Sequence, residues 1–223
     1  MNDPHAGQPV LAAGTPLGEA RAAMILIHGR GAGAEDILGL AEPLGVDGVA
    51  YLAPEAAGRS WYPQSFLVPL EQNEPWLTSA LATIGRMFSL AAEAGIPPER
   101  VAVGGFSQGA CLALEYAARN PQRYGAVVAL SGGLTGPEIE WERYRSGLDG
   151  SPVFVGCSDI DFYIPVERVH TSAAVMRELG GEVVKRIYPG MGHIVNQDEI
   201  DHVTALLHQI AVERPVEAGR HRR

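Results

Sequence analysis

Short apolar runs alternate with helix-like segments along most of this chain, and this alternation constrains the possible fold most strongly. Each run is rich in Val, Ile or Leu and ends in turn residues. The runs are AAMILIHG, GVAYLAPE, VAVGGFS, GAVVALSGG, PVFVGCSD and EVVKRIYPG. Because their hydrophobicity is continuous rather than alternating, they predict strands that are buried on both faces.

Helices are predicted between these strands. Their ranges are 75–94, 108–119, 165–179 and 196–212. In the first, apolar residues recur at helical spacing, and Gly95 with Pro97 just beyond predicts its end. Strands that alternate with helices predict an α/β fold with a mainly parallel sheet covered on both faces. In such sheets the ligand crevice lies outside the carboxyl ends of the strands.

The length and composition predict one globular domain. The 223 residues are 46% hydrophobic and 19% charged, with a formal net charge of −9. We expect a single α/β-hydrolase domain over residues 1–223, with its core at about 22–212, a flexible N-terminal lead and a basic tail at 220–223. An acidic chain is poorly suited to phosphate backbones, so we expect no nucleic-acid partner.

Targeting and metal-binding signals are not evident in the sequence. No apolar run approaches the ~18 residues of a membrane span, and the N-terminus lacks a secretory pattern, so a cytoplasmic protein is expected. Cys111 and Cys157 belong to no CxxC pair and to no cluster with zinc spacing, which favours two buried free thiols. The oligomeric state stays open, with a homodimer as one option.

The stretch GFSQG places Ser107 between two glycines. An apolar strand precedes it and a helix rich in small residues follows it. This is the setting of a nucleophile elbow, in which a serine on a strained turn projects its hydroxyl above the sheet. The alternative is a Gly-rich turn that only joins a strand to a helix.

A serine nucleophile needs a base, and the base needs an acid. His193 stands in YPGMGHIVN, a Gly-rich loop after the last strand, and is the predicted base. The acid is Asp159 or Asp161 in GCSDIDFYIP, and the residues alone leave both open. The chain order Ser, Asp, His is the order found on the α/β-hydrolase sheet.

Acyl transfer also needs donors for the developing oxyanion. The segment HGRGAGAED follows the first long strand, and its glycines let backbone N–H groups converge. The backbone N–H groups of Arg30 and Gln108 are the expected pair. A phosphate-binding loop is the alternative, but the segment lacks the required Gly-Lys-Ser/Thr ending.

Taken together, these motifs resemble the phospholipase/carboxylesterase family of α/β-hydrolases, which includes the acyl-protein thioesterases. The resemblance runs from about Ala22 to Val212. It rests on His28-Gly29-Arg30-Gly31, Gly105-Phe106-Ser107-Gln108-Gly109-Ala110, the Asp159/Asp161 segment and Gly190-Met191-Gly192-His193.

The resemblance implies roles for individual residues. Ser107 would be the nucleophile and His193 the base. Asp161 would be the acid, because DFYIP matches the spacing of the family's Asp-Pro-x-Val-Pro stretch, with Phe162 at the first proline position. The resemblance also implies no large cap domain and an open acyl groove. Trp61, Tyr62 and Phe66 would lie near its entrance, and the alternative is that these aromatic rings only pack their loop against the protein.

The expected function is that of a serine carboxylesterase. It would hydrolyse small carboxylic esters through an acyl-enzyme on Ser107, with no metal and no organic cofactor. A thioesterase or lysophospholipase with the same triad is the alternative, because substrate choice depends on the loops. A non-catalytic binding protein on a hydrolase scaffold is a third hypothesis.

Overall fold

A single seven-stranded sheet forms the centre of the protein in the computed structural model, which describes residues 3–212. The strands are β1 (Val10–Gly14), β2 (Ala22–Ile27), β3 (Val49–Pro54), β4 (Val101–Phe106), β5 (Ala126–Leu130), β6 (Pro152–Ser158) and β7 (Glu182–Tyr188). Their order is β1-β3-β2-β4-β5-β6-β7, and every neighbouring pair is parallel except β1 with β3. The predicted basic tail at 220–223 lies outside the described residues.

Helices cover both faces of the sheet. They are α1 (Ala34–Leu38), α2 (Ala41–Leu44), α3 (Trp76–Glu93), α4 (Gln108–Arg119), α5 (Val166–Glu178) and α6 (Gln197–Ala211). One face of the sheet is covered by α3, α4 and α5, which pack against strand residues such as Ile25. The other face is covered by α1, α2 and α6, which pack against the alternate strand residues, such as Met24. The sheet is thus buried on both sides, as the continuous apolar runs predict.

The N-terminal segment belongs to the fold, so the expected core boundary near residue 22 is too late. Strand β1 pairs with β3 in an antiparallel register that sets Val10 opposite Pro54. Further upstream, the side chain of His5 is buried. The sequence did not predict β1 because this edge strand is mostly exposed and needs no long apolar run.

The two long connections differ in what they contact. Residues 55–75 pass along the carboxyl edge of the sheet and contain two short 3-10 helices. Residues 131–151 instead pack beside α4, where the buried carboxylate of Glu115 accepts hydrogen bonds from the N–H of Thr135 and the hydroxyl of Tyr144. Neither connection forms a cap domain. None of the helices within residues 3–212 is both long enough and apolar enough to cross a bilayer.

Candidate active site

Ser107 occupies a strained turn between β4 and α4. Its φ of 57° and ψ of −117° lie in a region that residues other than glycine rarely adopt, at a cost of about 1–3 kcal/mol. The turn is held by the N–H of Ser107, which donates to the carbonyl of Leu130 on β5 at 2.9 Å. This backbone conformation directs the serine side chain away from the sheet and into an open pocket.

The two glycines of GFSQG allow this turn to lie against β2. A Cβ at Gly105 would lie 2.2 Å from the carbonyl oxygen of Ile27, and one at Gly109 would lie 2.0 Å from the same atom. Backbone atoms cannot move away as a flexible side chain can. The spacing of the motif is therefore explained by close packing of β4 and α4 on β2.

Three side chains from separate strand ends meet at the carboxyl edge of the sheet. The Oγ of Ser107, after β4, lies 2.9 Å from Nε2 of His193, after β7. The Nδ1 of the same imidazole lies 2.6 Å from Oδ2 of Asp161, after β6. With its proton on Nδ1, the ring donates to the carboxylate and accepts from the serine hydroxyl.

The two candidate aspartates have different surroundings. The side chain of Asp161 is fully buried, and its Oδ1 accepts hydrogen bonds from the N–H groups of Tyr163 and Ile164. By contrast, Oδ1 of Asp159 accepts from the N–H of Gly190 at 2.8 Å and so ties the β6 loop to the β7 loop. The geometry brings Asp161 to the imidazole and gives Asp159 a role in the loop.

A buried thiol also contacts the Asp161 carboxylate. The Sγ of Cys157 lies 3.7 Å from Oδ2, the atom that also contacts the imidazole. Burial, with the nearby carboxylate, raises the pKa of this thiol to about 12, so it stays protonated and acts as a donor. Oδ2 therefore has two donors.

Aromatic rings flank the imidazole of His193 on two sides. The ring of Phe106 lies 4.7 Å from it and the ring of Tyr163 lies 4.9 Å from it, both measured between centroids. All three rings line the same pocket. This packing restricts the orientations that the imidazole can adopt.

The backbone N–H groups of Arg30 and Gln108, the pair expected to bind an oxyanion, donate to no acceptor among the described residues. Gln108 is the first residue of α4, so its N–H has no partner inside the helix. The N–H of Arg30 donates to no acceptor in the described chain. A Cβ at Gly29 would lie 3.4 Å from Cβ of Ser107, so this backbone runs directly beside the serine.

The side chain of Gln108 has a structural role that the sequence did not indicate. Its Oε1 accepts from the N–H of Trp61, and its Nε2 donates to the carbonyl of Tyr62, each at 2.9 Å. Since Gln108 follows the serine directly, these bonds fix the 61–62 backbone to the start of α4.

Of the three aromatic residues expected at the groove entrance, two line the pocket. The pocket has a volume of about 560 Å³, and its lining includes Tyr62 and Phe66 beside Ser107 and His193. The prediction is wrong for Trp61, which is fully buried and lies outside the lining. Its indole N–H donates to the carbonyl of His28, and this bond turns the ring into the protein.

Two histidines enclose the Trp61 ring and support its loop. The ring of His5 lies 5.2 Å from it and the ring of His28 lies 5.0 Å from it. The N–H of Ala57 donates to Nδ1 of His5, and the N–H of Ala56 donates to Nε2 of His28. Burial lowers the pKa of both imidazoles, which favours the neutral form that these acceptor roles require.

Some pocket residues could have been found from local spacing. Cys111 lies one helical turn after Ser107, and Tyr163 lies two residues after Asp161; both line the pocket. Burial raises the pKa of the Cys111 thiol to about 12, so it presents no thiolate beside the serine. Within residues 3–212, no three His, Cys, Asp or Glu side chains are grouped to hold a metal ion.

Comparison with known proteins places this chain in a family. The sequence model described as phospholipase/carboxylesterase matches residues 12–210, nearly the whole chain. The chain belongs to the phospholipase/carboxylesterase family. This is a family of α/β-hydrolases that act on ester bonds, and the observed sheet with helices on both faces agrees with the predicted fold class.

A crystal structure supports the same assignment. The phospholipase/carboxylesterase from Dyadobacter fermentans DSM 18053 is 39% identical, superposes with a TM-score of 0.87, and is matched over 91% of this chain and 97% of that one. It carries the α/β-hydrolase fold over the full length that the two chains share.

Curated relatives match over shorter stretches. Acyl-protein thioesterase 1 of Gibberella zeae is 32% identical over 52% of this chain and 50% of its own length. The protein of the same name from Saccharomyces cerevisiae is 30% identical over 58% of each chain. The chain thus spans only about half the length of the curated relatives that it matches.

Proposed function

We propose that this protein is a serine carboxylesterase that hydrolyses small carboxylic esters through an acyl-enzyme on Ser107. The observation that carries the proposal is the continuous hydrogen-bonded line from Ser107 through His193 to Asp161. In this mechanism His193 takes the serine proton as Oγ attacks the ester carbonyl. Asp161 orients the imidazole and stabilises its cation.

The remaining steps use the same groups. The N–H groups of Arg30 and Gln108 receive the negative charge of the tetrahedral intermediate, and each such donor is typically worth about 2.7–4 kcal/mol of barrier. The protonated His193 then gives its proton to the departing alcohol. Water, deprotonated by His193, attacks the acyl-enzyme and releases the carboxylic acid with Ser107 restored.

The size and openness of the pocket support small substrates. Its volume of about 560 Å³ is within the range of about 300–1,000 Å³ for small-molecule sites, and no cap domain covers it in the described chain. Short acyl esters with alkyl or aryl alcohols fit such a site. A panel of esters with graded acyl length is expected to give the highest kcat/KM at short chains.

Covalent labelling tests the mechanism directly. A fluorophosphonate is expected to modify Ser107, located by peptide mass spectrometry, and rapid mixing with an activated ester is expected to give a burst of alcohol of about one equivalent. Ser107→Ala should abolish both. Ser89→Ala, which removes an exposed serine hydroxyl on α3, serves as the matched control. Full esterase activity in Ser107→Ala would refute the mechanism.

A thioesterase activity with the same triad is the second candidate, because both curated relatives reported above are named acyl-protein thioesterases. Lysophospholipid hydrolysis belongs to the same alternative. Matched oxygen esters, thioesters and lysolipids with one acyl group separate these activities by kcat/KM. A folded protein that neither reacts with fluorophosphonate nor turns over any of them would instead be a binding protein on this scaffold.

A further inference from the structure

We propose that the pocket selects esters that carry an anionic group, with the guanidinium of Arg30 as its counter-charge. The inference rests on the proposed esterase function and names the substrate class of that same site. It concerns the Arg30 side chain, whereas the backbone N–H of this residue serves the oxyanion. The favoured substrate is therefore an ester with a carboxylate or similar anion on its acyl or alcohol part.

The guanidinium is held in a defined place at the pocket wall. Its Nη1 donates to the carbonyl of Pro63 at 2.8 Å, and its Nη2 donates to the carbonyl of Gln64 at 2.5 Å. Its Cζ lies 5.9 Å from the ring centroid of Tyr62. Each of these partners lines the pocket that contains Ser107.

These contacts leave the exposed guanidinium of Arg30 without an ion-pair partner among the described residues. Both acceptors are neutral backbone carbonyls, and two bonds occupy only two of the five N–H donors of a guanidinium. No carboxylate oxygen of the described residues lies within 4.0 Å of Arg30. A fixed, planar guanidinium with free donors suits a carboxylate or phosphate.

The charge distribution around the pocket favours the same ligand. Arg30 is the only lysine or arginine in the lining of this pocket, and that lining includes no aspartate or glutamate. The whole chain has a net charge of −9, which repels anions at long range, so anion selectivity in this cleft depends on the local charge of Arg30. Such a charge beside low-dielectric walls attracts anions. The remaining lining is mostly apolar or neutral, so it offers no competing recognition of charge.

The position of Arg30 relative to the serine makes the charge relevant to selectivity. Gly29 runs against Ser107, and Arg30 is the next residue. Arg30 and Ser107 line the same pocket, so the acyl or alcohol part of a substrate whose carbonyl carbon meets Oγ can extend along the wall that includes this side chain. The anion could stand on the acyl part or on the alcohol part, and three phenyl esters distinguish the two positions. Phenyl butyrate is neutral, monophenyl succinate carries a carboxylate on the acyl part, and 4-carboxyphenyl butyrate carries one on the alcohol part.

The test compares kcat/KM for these esters in the wild type, Arg30→Gln and Arg30→Lys. For one of the anionic esters, we expect Arg30→Gln to lower the ratio of its kcat/KM to that of phenyl butyrate by about tenfold or more. The ester that is affected identifies which part carries the anion. Arg30→Lys, which keeps the charge without the planar fork, should retain part of the preference. Raising the salt to 0.5 M should reduce it in the wild type.

Arg30→Gln also removes the contacts with Pro63 and Gln64, and phenyl butyrate is the control for that loss. A displaced loop would lower kcat/KM for all three esters together, whereas loss of the charge would lower it only for an anionic ester. Arg100→Gln makes the same change in net charge at the opposite end of β4 and should leave the ratios unchanged. Equal ratios in wild type and Arg30→Gln for both anionic esters would overturn the inference and leave the esterase function intact. If the folded protein hydrolyses none of the three esters, the proposed function fails as well.

Discussion

Oδ2 of Asp161 lies 2.6 Å from Nδ1 of His193, on a carboxylate that is fully buried. Asp159, two residues earlier, faces the N–H of Gly190 instead. The two aspartates are only two residues apart, yet Asp161 contacts the imidazole of His193 and Asp159 contacts the backbone of Gly190. This difference leads to a direct comparison of two matched variants.

Replacing each aspartate by asparagine should affect turnover very differently. Asp161→Asn is expected to lower kcat by orders of magnitude, about 10⁴-fold if it matches other triads, because an amide neither holds the required tautomer nor stabilises the imidazolium. Asp159→Asn should change kcat little, since the amide oxygen can still accept from Gly190. Steady-state kinetics on a short ester measures both. The opposite order of effects would reassign the acid.

Gly109→Ala should prevent the elbow from packing. The new Cβ would lie 2.0 Å from the carbonyl oxygen of Ile27, so β4 and α4 would have to move away from β2, at a cost of about 3 kcal/mol or more. Gly85→Ala in α3 is the matched control, because its nearest neighbour would lie at 3.7 Å. We expect that change to be neutral or to stabilise by up to about 1 kcal/mol. Urea unfolding measures both, and equal effects would contradict the packing explanation.

Glu199 should make the protein less stable as the pH rises. Burial raises the pKa of this carboxyl from 4.5 to about 7, and its Oε1 has no hydrogen-bond partner in the described chain. Between these two values the folded state binds a proton that the unfolded state has released, so the free energy of unfolding falls by up to about 3 kcal/mol.

Glu199→Gln should remove that dependence. The amide oxygen can still accept from the N–H of Asn196, the bond that caps α6. The stability of the variant relative to the wild type should therefore increase between pH 5 and pH 8 and then level off. Urea unfolding at several pH values measures the difference. Parallel curves for the two proteins would show that Glu199 does not cause the effect.

His5 should make the protein less stable as the pH falls. Its folded-state pKa is lowered by burial, so below about pH 6.5 the unfolded chain takes up a proton that the folded imidazole resists. His5→Gln offers a neutral acceptor for Ala57 and a donor for Trp61, and should lose less stability than the wild type between pH 7 and pH 5. His208→Gln, at an exposed histidine, is the control and should follow the wild type.

His5→Ala tests the support of the loop itself. It leaves the N–H of Ala57 and the carbonyl of Trp61 without their partner, which should cost about 1–3 kcal/mol of stability. A variant that unfolds at the same urea concentration as the wild type would show that the N-terminal segment does not support this loop.

The helices α3 to α6 agree with the sequence prediction to within one residue at every end, because apolar spacing and stop residues such as Gly95 are local signals. Local signals also predicted that Ser107 and His193 follow strands. They failed for β1, since an exposed edge strand has no long apolar run. They also failed for Trp61, since the direction of a loop side chain depends on partners distant in sequence.

The sequence by itself determined the alternation of strands and helices, the elbow around Ser107, and the residue types that stand at the strand ends. These follow from hydrophobic period and backbone sterics, which act over a few residues. Only the tertiary structure decided that Asp161 rather than Asp159 meets His193 and that Trp61 is enclosed by two histidines. It also decided that the Arg30 guanidinium lies on the pocket wall with no ion-pair partner among residues 3–212. These relationships depend on how separate strand ends approach one another, and that approach is set by packing across the whole sheet.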